Sequence, residues 1–245
     1  MNKPLIIVTG ASSGIGAATA RRFSAAGHPL LLIARRLERL EALALPDCLC
    51  RAVDIRDRAA LVAAVAEAEA LYGPADAADA LVNNAGVMLL GQMHEQDPEQ
   101  WERMFDINVK GLLNGVHALV SGMIERRHGT LINVSSVAGR KTFPNHVAYV
   151  GSKFAVHGLS ENLREELAPH NVRVVTIAPG AVETELLGHT TDEGIKRDYE
   201  AWKANDMGGV VLSAEDVAGA IVWAYQQPQQ VCIREIVLAA TAQQP

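Results

Sequence analysis

The sequence predicts an α/β domain in which a doubly wound parallel sheet of seven strands carries helices on both faces. Short runs rich in Val, Ile and Leu alternate with longer segments of helical periodicity, as is typical of parallel sheets that are buried on both sides. Hydrophobic residues make up 49% of the 245 residues, enough to fill a large core. No linker, repeat or low-complexity tract divides the chain, so we expect residues 1–245 to form one domain.

The strands are predicted where short apolar runs end at polar residues or glycine. Helices are predicted from spacing and end signals, such as glycine after the first helix and the capping-box pair Ser213 and Asp216 before the last. Gly111 and Gly115 interrupt the longest helix, or let neighbours approach it closely. The predicted strands are Leu5–Gly10, Pro29–Ala34, Cys48–Ile55, Ala80–Gly86, Thr130–Ser136, Val172–Gly180 and Val231–Ala239. The predicted helices are Ile15–Gly27, 36–45, 57–73, Pro98–Arg127, Val147–Ala168, Ile195–Ala204 and one that follows Ser213.

Charge and apolar patterning exclude several classes of partner. The net charge of −6 and a pI of about 5.8 argue against nucleic acid or an anionic membrane surface as a partner. No apolar run approaches the ~18 residues of a membrane span. The opening MNKPLIIVTG does not resemble a signal peptide, because its apolar run is too short. We therefore expect a cytoplasmic protein.

The cysteines and histidines predict no metal site. An odd count, Cys48, Cys50 and Cys232, is typical of reduced thiols. Cys48 and Cys50 are too close in sequence for a zinc knuckle, and we interpret them as neighbours on one face of a buried strand. The eight histidines include no H-E-x-x-H motif.

A glycine loop follows the first predicted strand. The motif TGASSGIG, Thr9–Gly16, has three residues between Gly10 and Gly14, and its small residues would let the backbone approach a pyrophosphate at the N-terminus of the following helix. The alternative is a tight strand-to-helix turn. The first interpretation predicts a dinucleotide-binding Rossmann fold, with cofactor contacts from Gly10, Ser12, Ser13, Gly14, Ile15 and Gly16.

The residues after the second and third strands bear on which nucleotide binds. Arg35 and Arg36 follow strand two, where a carboxylate would favour NAD and arginine favours the 2′-phosphate of NADP. The alternative is two solvated charges. Asp54, with Ile55 beside it, can accept from the adenine amino group or cap the helix that starts at Asp57. We expect NADP(H).

Polar residues or glycine also follow strands four, five and six. They lie at the same edge of the sheet, which is where ligands bind in such folds. After strand four, Asn84, Ala85 and Gly86 either lie beside the nucleotide or form a strand-end turn. Ser136 ends strand five, and Pro179 and Gly180 end strand six. This clustering is stronger support for a cofactor site than any single motif.

A tyrosine and a lysine one helical turn apart suggest proton-transfer chemistry. Tyr149 and Lys153 have i, i+4 spacing and so share a helix face, either as packing residues or as a proton donor beside a cation. We expect the cation to lower the pKa of the phenol from its usual ~10. Ser136 can then bind the same substrate oxygen, and Asn108 can hold a water that relays protons to Lys153. This set serves hydride transfer at an alcohol or ketone carbon.

With these motifs in this order, the chain from Leu5 to about Thr184 resembles the short-chain dehydrogenase/reductase family. The resemblance rests on TGASSGIG, NNAG, Asn108, Ser136, YVGSK and IAPGAVET. It implies a catalytic tetrad of Asn108, Ser136, Tyr149 and Lys153, ribose contacts from Tyr149 and Lys153, and nicotinamide contacts from Val182 and Thr184. Ser136 is chosen over Ser135 because it stands thirteen residues before the tyrosine.

The resemblance also implies an oligomer and a subgroup. Family members are usually homotetramers or homodimers, with helices equivalent to Met104–Ile124 and Val147–Leu167 at the interface. The tail from Ser213 is similar to a bacterial branch that oxidises serine and other 3-hydroxy acids or reduces short keto compounds. That branch often carries arginine after strand two, in agreement with Arg35.

The substrate is predicted only as a class. Residues 183–209 should form a lid over it, and Phe143, His146 and Leu186 are candidate contacts beside Ser136 and Tyr149. Arg140 or Lys141 can pair with a substrate carboxylate or simply lie in solvent. We expect a small ketone, keto acid or 3-hydroxy acid. The alternatives are a non-catalytic NADP(H)-sensing protein and an epimerase or dehydratase that acts through a keto intermediate.

Overall fold

The predicted doubly wound fold is confirmed. In the computed structural model, which describes residues 3–72 and 77–243, one sheet has the strand order β3-β2-β1-β4-β5-β6-β7, and every pairing is parallel. The strands are β1 (Ile6–Thr9), β2 (Leu30–Ala34), β3 (Cys48–Ala52), β4 (Ala80–Asn83), β5 (Gly129–Val134), β6 (Val172–Pro179) and β7 (Glu235–Leu238).

The strand order reverses at β1, which fixes where the site lies. Ile6 in β1 is in register with Leu30 of β2 on one side and with Ala80 of β4 on the other. The connections after β1 and β4 therefore leave the sheet in opposite directions and open a crevice beyond the carboxyl ends of these strands.

Helices cover both faces of the sheet, and each face has its own apolar core. Leu61, Met104 and Val156 belong to the core on one face, whereas Phe23 and Ile221 belong to the core on the other. The helices are α1 (Gly14–Ala25), α2 (Leu37–Glu41), α3 (Arg58–Tyr72), α4 (Pro98–Phe105), α5 (Gly111–Arg126), α6 (Val147–Leu167), α7 (Glu193–Asp206) and α8 (Ala214–Tyr225).

The predicted long helix Pro98–Arg127 contains a wide π turn at Asp106–Lys110, between α4 and α5. Its glycines serve close packing instead. A Cβ on Gly111 would lie 2.7 Å from the Ile55 side chain, and one on Gly115 would lie 2.5 Å from Oδ1 of Asn83. The break is therefore a local change of hydrogen-bond pattern, which often accompanies functional residues.

Other differences are confined to element ends. The seventh strand is shorter than the predicted Val231–Ala239, since only Glu235–Leu238 pair with β6. Residue 73 of the predicted helix 57–73 lies outside the described residues, as do the ends of the predicted domain at residues 1–2 and 244–245. The capping box of Ser213 and Asp216 is confirmed.

Cys48 and Cys50 share a face of β3, with their sulfurs 3.8 Å apart, but they are half-buried because β3 is an edge strand. Burial raises the pKa of the Cys48 thiol to about 12. Across residues 3–72 and 77–243, no three His, Cys, Asp or Glu side chains are grouped to hold a metal ion. No helix in that same part of the chain combines the length and apolarity of a bilayer span.

Candidate active site

The glycine loop between β1 and α1 is shaped by close backbone approaches. Gly10 has φ +66°, and a Cβ there would lie 2.7 Å from Cα of Ala85. A Cβ on Gly16 would lie 2.4 Å from the carbonyl oxygen of Gly10. Ser13 precedes α1 without a side-chain cap hydrogen bond, so the N–H groups of the first turn remain available to an anion.

Asn84 ties the end of β4 to the glycine loop. Its side-chain nitrogen donates to the carbonyl oxygens of Thr9 and Gly10 at 3.1 and 3.2 Å, and its main-chain N–H donates to Oγ1 of Thr9 at 3.1 Å. Asn84 therefore holds the loop in place as well as lining the cavity beside it. The segment is therefore a strand-end turn that also lines the cavity, and its position beside a nucleotide stays a prediction.

The two arginines after β2 differ in what they contact. Arg36 donates to Oγ of Ser12 and of Ser13 at 3.0 and 3.1 Å, and to the carboxylate of Glu185 at 3.0 Å. Arg39, one turn further along α2, donates to the same carboxylate at 2.6 Å. Arg35 is exposed at the cavity wall. Arg39 and Glu185 were missed from the sequence, where no spacing links them.

Asp54 does not cap the third helix, which corrects one of its two interpretations. Its carboxylate accepts from the main-chain N–H of Arg56 at 2.9 Å and from that guanidinium at 2.7 Å. The Arg56 side chain holds the pKa of Asp54 below its usual value. Asp57 itself accepts from the N–H of Ala60 at 3.0 Å, as a helix cap does. Asp54 and Ile55 line the cavity.

Tyr149 and Lys153 lie side by side in the first half of α6. Nζ of Lys153 is 5.8 Å from the centroid of the Tyr149 ring and donates to the carbonyl oxygen of Val134 at 3.0 Å. Both residues are buried in the fold but reach the cavity wall. Ser136 reaches the same wall, and its Oγ accepts from the N–H of Ala138 at 3.0 Å.

The electrostatics of this pair differ from the expectation that Lys153 lowers the pKa of Tyr149. Burial raises the pKa of the phenol above its usual value, and the Ser136 hydroxyl only partly offsets this. Burial also lowers the pKa of Lys153 to about 8. Desolvation disfavours the charged form of each group, so the sequence spacing gave the correct geometry and the wrong sign for the tyrosine.

Asn108 lies behind the cavity wall. Its Oδ1 accepts from the N–H of Val87 at 2.9 Å, and its Nδ2 donates to the carbonyl of Val87 and to Oγ of Ser152, each at 3.0 Å. Both amide hydrogens are thus bound by protein atoms, and the role of Asn108 in holding a relay water stays a prediction. Its hydrogen bonds fix the loop after β4 against α6.

One cavity of about 730 Å³ joins these features. Of the predicted site residues, Gly16 and Asn108 are the two outside its lining; Gly16 is packed against Gly10, and Asn108 lies behind Val87. The predicted residues in the lining are Gly10, Ser12, Ser13, Gly14, Ile15, Arg35, Arg36, Asp54, Ile55, Asn84, Ala85, Gly86, Ser136, Phe143, His146, Tyr149, Lys153, Pro179, Gly180, Val182, Thr184 and Leu186.

The cavity ends in an aromatic cluster beside Tyr149. The His146 ring lies 6.1 Å from the ring of Tyr149 and 6.2 Å from that of Tyr199 in α7, and Trp202 packs on Tyr199 at 5.4 Å. Phe143 packs on His146 at 5.6 Å. Burial lowers the pKa of His146, which favours the neutral ring and gives this end an apolar character.

The cations near this end are only partly available to a substrate. Arg140 forms an ion pair with Glu235 of β7, so it does not fill the predicted role of carboxylate partner. Nζ of Lys141 lies 4.7 Å from the ring centroid of Phe143. Gln243 closes the wall near Gly180, where its Oε1 accepts from the N–H of Ala181 at 2.9 Å; sequence reasoning missed this residue.

The comparisons with known proteins agree with this geometry. Residues 4–194 match the family described as short chain dehydrogenase. The chain belongs to the short-chain dehydrogenase family. The resemblance drawn from the motifs is thus confirmed, and membership places the protein among oxidoreductases of alcohols and carbonyl compounds.

Individual short-chain dehydrogenases are similar over nearly the whole chain. Sulfoacetaldehyde reductase of Chromohalobacter salexigens is 39% identical over 246 residues, which cover 97% of this chain and 94% of the relative. NADP-dependent 3-hydroxy acid dehydrogenase YdfG of Shigella flexneri is 36% identical, covering 98% and 96%. A closed serine dehydrogenase complexed with NADP+ superposes with a TM-score of 0.87 at 34% identity, covering 98% and 96%.

A further relative is much longer than this chain. Glycine betaine reductase ATRR of Emericella nidulans is 40% identical over 240 residues, which are 95% of this chain and 18% of that protein. This short-chain dehydrogenase therefore corresponds to less than a fifth of that relative.

Proposed function

We propose that the protein is an NADP(H)-dependent oxidoreductase that transfers a hydride between the nicotinamide and the carbon of a ketone or secondary alcohol. Tyr149 acts as the general acid/base. The observation that carries the proposal is that Tyr149, Lys153 and Ser136 line the same cavity as the glycine loop. This arrangement puts a proton donor and a dinucleotide cradle in one site.

The residues of the crevice fit a dinucleotide. Because Gly10 and Gly16 have no Cβ, the backbone of the glycine loop packs closely against neighbouring backbone. The first turn of α1 offers N–H groups to a pyrophosphate. Arg35 and Arg36 would bind the 2′-phosphate. Tyr149 and Lys153 would contact the ribose, and Val182 and Thr184 the nicotinamide amide. Bound NADP(H) would supply or accept the hydride.

The proton moves between Tyr149 and the substrate oxygen. In reduction, the phenol O–H of Tyr149 donates its proton as the carbonyl carbon gains the hydride, and the Ser136 hydroxyl donates a hydrogen bond to the same oxygen. Lys153 stabilises the phenolate that remains. A tyrosine is protonated at neutral pH, and burial raises its pKa further, so Tyr149 carries the proton that carbonyl reduction requires. Oxidation of an alcohol uses the same atoms in reverse.

The substrate is a small or medium-sized ketone, keto acid or 3-hydroxy acid. Phe143, His146, Tyr199 and Trp202 give its end of the cavity an aromatic wall, and residues 183–209 form the lid over it. The printed activities of the relatives, a 3-hydroxy acid dehydrogenase and a sulfoacetaldehyde reductase, support small oxygenated substrates. Arg140 is paired to Glu235, and of the two cations proposed for a substrate carboxylate this leaves Lys141, whose Nζ lies over the ring of Phe143.

Steady-state assays test this assignment. NADPH and NADH are each assayed with neutral ketones, keto acids and sulfoacetaldehyde, and NADP+ and NAD+ with serine and other 3-hydroxy acids. We expect turnover with at least one class and a preference for NADP(H). Tyr149→Phe should retain NADPH binding and lose turnover by about 10²–10⁴-fold. NADPH binding without turnover of any substrate would favour a sensing protein instead.

We also propose a cytoplasmic homotetramer or homodimer. Phe105, Val147 and Phe154 expose large apolar side chains, and all three lie in the segments Met104–Ile124 and Val147–Leu167 that the resemblance assigns to the subunit interface. The three cysteines are free thiols, as is typical of a reducing compartment. Light scattering after gel filtration gives the mass, and a monomer at micromolar concentration would contradict the oligomer.

A further inference from the structure

A carboxylate of the chain itself occupies the arginines at the mouth of the cofactor crevice. Glu185, in the short 3-10 helix Glu185–His189 after β6, lies between Arg36 and Arg39, at 3.0 and 2.6 Å from their guanidinium nitrogens. Arg36 continues the contact to the hydroxyls of Ser12 and Ser13. One set of hydrogen bonds therefore crosses from the segment after β6 to the glycine loop.

The position of this contact matters because the same arginine faces the glycine loop. A guanidinium binds carboxylate and phosphate with the same fork of N–H donors, so Glu185 and a 2′-phosphate would compete for Arg36. The side chains of Arg36, Arg39 and Glu185 are 40%, 44% and 52% exposed. Ion pairs with this exposure are weak, so a ligand phosphate can displace the carboxylate.

The chain beyond Glu185 leads to the substrate end of the cavity. The next helix, α7, carries Tyr199 and Trp202 on the aromatic wall. A ligand that displaces the Glu185 carboxylate from Arg36 therefore breaks an ion pair that connects the start of α2 to the segment that covers the substrate.

We propose that Glu185 is an internal competitor for the 2′-phosphate of NADP(H), which occupies the arginines until the cofactor displaces it and then leaves the covering segment free to adjust. The inference rests on the proposed function, since it takes NADP(H) as the ligand of this crevice. It makes Glu185 a residue that sets cofactor preference without contacting the reacting atoms.

The test measures dissociation constants of NADPH and NADH for the whole protein by fluorescence titration. Glu185→Gln keeps the shape and loses the charge, so it should bind NADPH about 2–10-fold more tightly and leave NADH nearly unchanged. Glu185→Ala should change NADPH affinity in the same direction. Glu183→Gln is the matched control. It removes a charge from the same segment, but the Glu183 carboxylate lies 3.5 Å from Nζ of Lys203 and not beside the two arginines.

A double-mutant cycle identifies the route of the effect. In an Arg36→Ala, Arg39→Ala background, Glu185→Gln should no longer change NADPH affinity, because the arginines for which it competes are gone. Adenosine 2′,5′-bisphosphate serves as a second probe that carries the phosphate without the nicotinamide, and it should show the same gain.

The outcomes separate the two proposals. If the wild-type protein binds NADPH and Glu185→Gln binds it equally or less tightly, or gains equally for NADH, the competitor role is wrong and the proposed function stands. If neither protein binds NADPH or the bisphosphate, both proposals fail.

Discussion

Lys153 places its ammonium 5.8 Å from the ring centroid of Tyr149 while its Nζ donates to the carbonyl oxygen of Val134. The lysine is therefore oriented from the sheet side, by the end of β5, and not by the tyrosine alone. Burial raises the pKa of the phenol and lowers that of the amine. At neutral pH the phenol is therefore neutral, whereas Lys153 still carries its proton, and burial holds this ammonium at a cost in stability.

This cost predicts a pH dependence of stability. The pKa of Lys153 falls from 10.5 to about 8 on folding. Between these values the unfolded chain holds a proton that the folded protein has released, so the free energy of unfolding should rise with pH in that window. The full effect is roughly 3 kcal/mol.

Urea unfolding of wild type and Lys153→Met, from about pH 7 to about pH 10, measures this effect. Lys153→Met should be the more stable protein near neutral pH, and its advantage should shrink above about pH 8. Lys110→Met is the control, because Lys110 is 72% exposed and its removal should give a difference that does not change over this range. A constant difference for Lys153→Met would contradict the lowered pKa.

The arginines after β2 predict the cofactor preference. Charge-assisted hydrogen bonds to phosphate contribute about 1.5–3 kcal/mol each. Arg36→Ala and Arg35→Ala should therefore weaken NADPH binding about 10–100-fold and NADH binding much less. Arg21→Ala, an exposed arginine of α1, is the control. Equal losses for the two cofactors, measured as dissociation constants, would refute the phosphate contact.

Substitutions of two glycines distinguish the effect of backbone strain from that of a steric clash. Gly10 and Gly27 have φ values of +66° and +83°, but a Cβ on Gly27 meets nothing within 4 Å, whereas one on Gly10 meets the backbone of Ala85 at 2.7 Å. Gly27→Ala should lower the free energy of unfolding by about 1–2 kcal/mol. Gly10→Ala should lower it further and abolish NADPH binding. Equal effects in denaturant unfolding would show that the close approach is not required.

Much of the fold and of the cavity was predictable because local patterns determine them. Apolar runs predict the strands, and the rule that ligands bind at the carboxyl ends of parallel strands predicts that Gly10, Asn84 and Ser136 lie at one edge of the sheet. Residues joined by i, i+4 spacing, such as Tyr149 and Lys153, were placed correctly for the same reason.

The remainder depends on contacts between distant segments. Glu185 reaches Arg36 and Arg39 across the crevice, and Glu235 reaches His157, yet nothing in the spacing of these residues links them. The predicted direction of the Tyr149 pKa shift was also wrong, because the direction depends on how deeply the pair is buried. The interpretation of Asp54 as a helix cap was wrong because its carboxylate accepts hydrogen bonds from Arg56, two residues away.

Glu235 holds together the segments on either side of Ser136. Its carboxylate binds Arg140, which follows Ser136, and lies 3.0 Å from Nε2 of His157 in α6. Nδ1 of His157 lies 2.8 Å from Oγ of Ser135. Glu235→Gln would weaken both contacts, and since its side chain is only 21% exposed we expect a loss of about 1–3 kcal/mol at neutral pH.

The loss should itself depend on pH. Burial alone would raise the pKa of Glu235, but the hydrogen bonds from Arg140 and His157 bring it below its usual value of 4.5. The stabilisation is therefore present above that value and disappears as the pH falls through the lowered folded-state pKa. Urea unfolding should show a large gap between wild type and Glu235→Gln at about pH 7 and a smaller one at about pH 3. Glu161→Gln breaks an exposed pair with Arg164 and should change stability little; an equal effect of the two substitutions would show that Glu235 is only a surface charge.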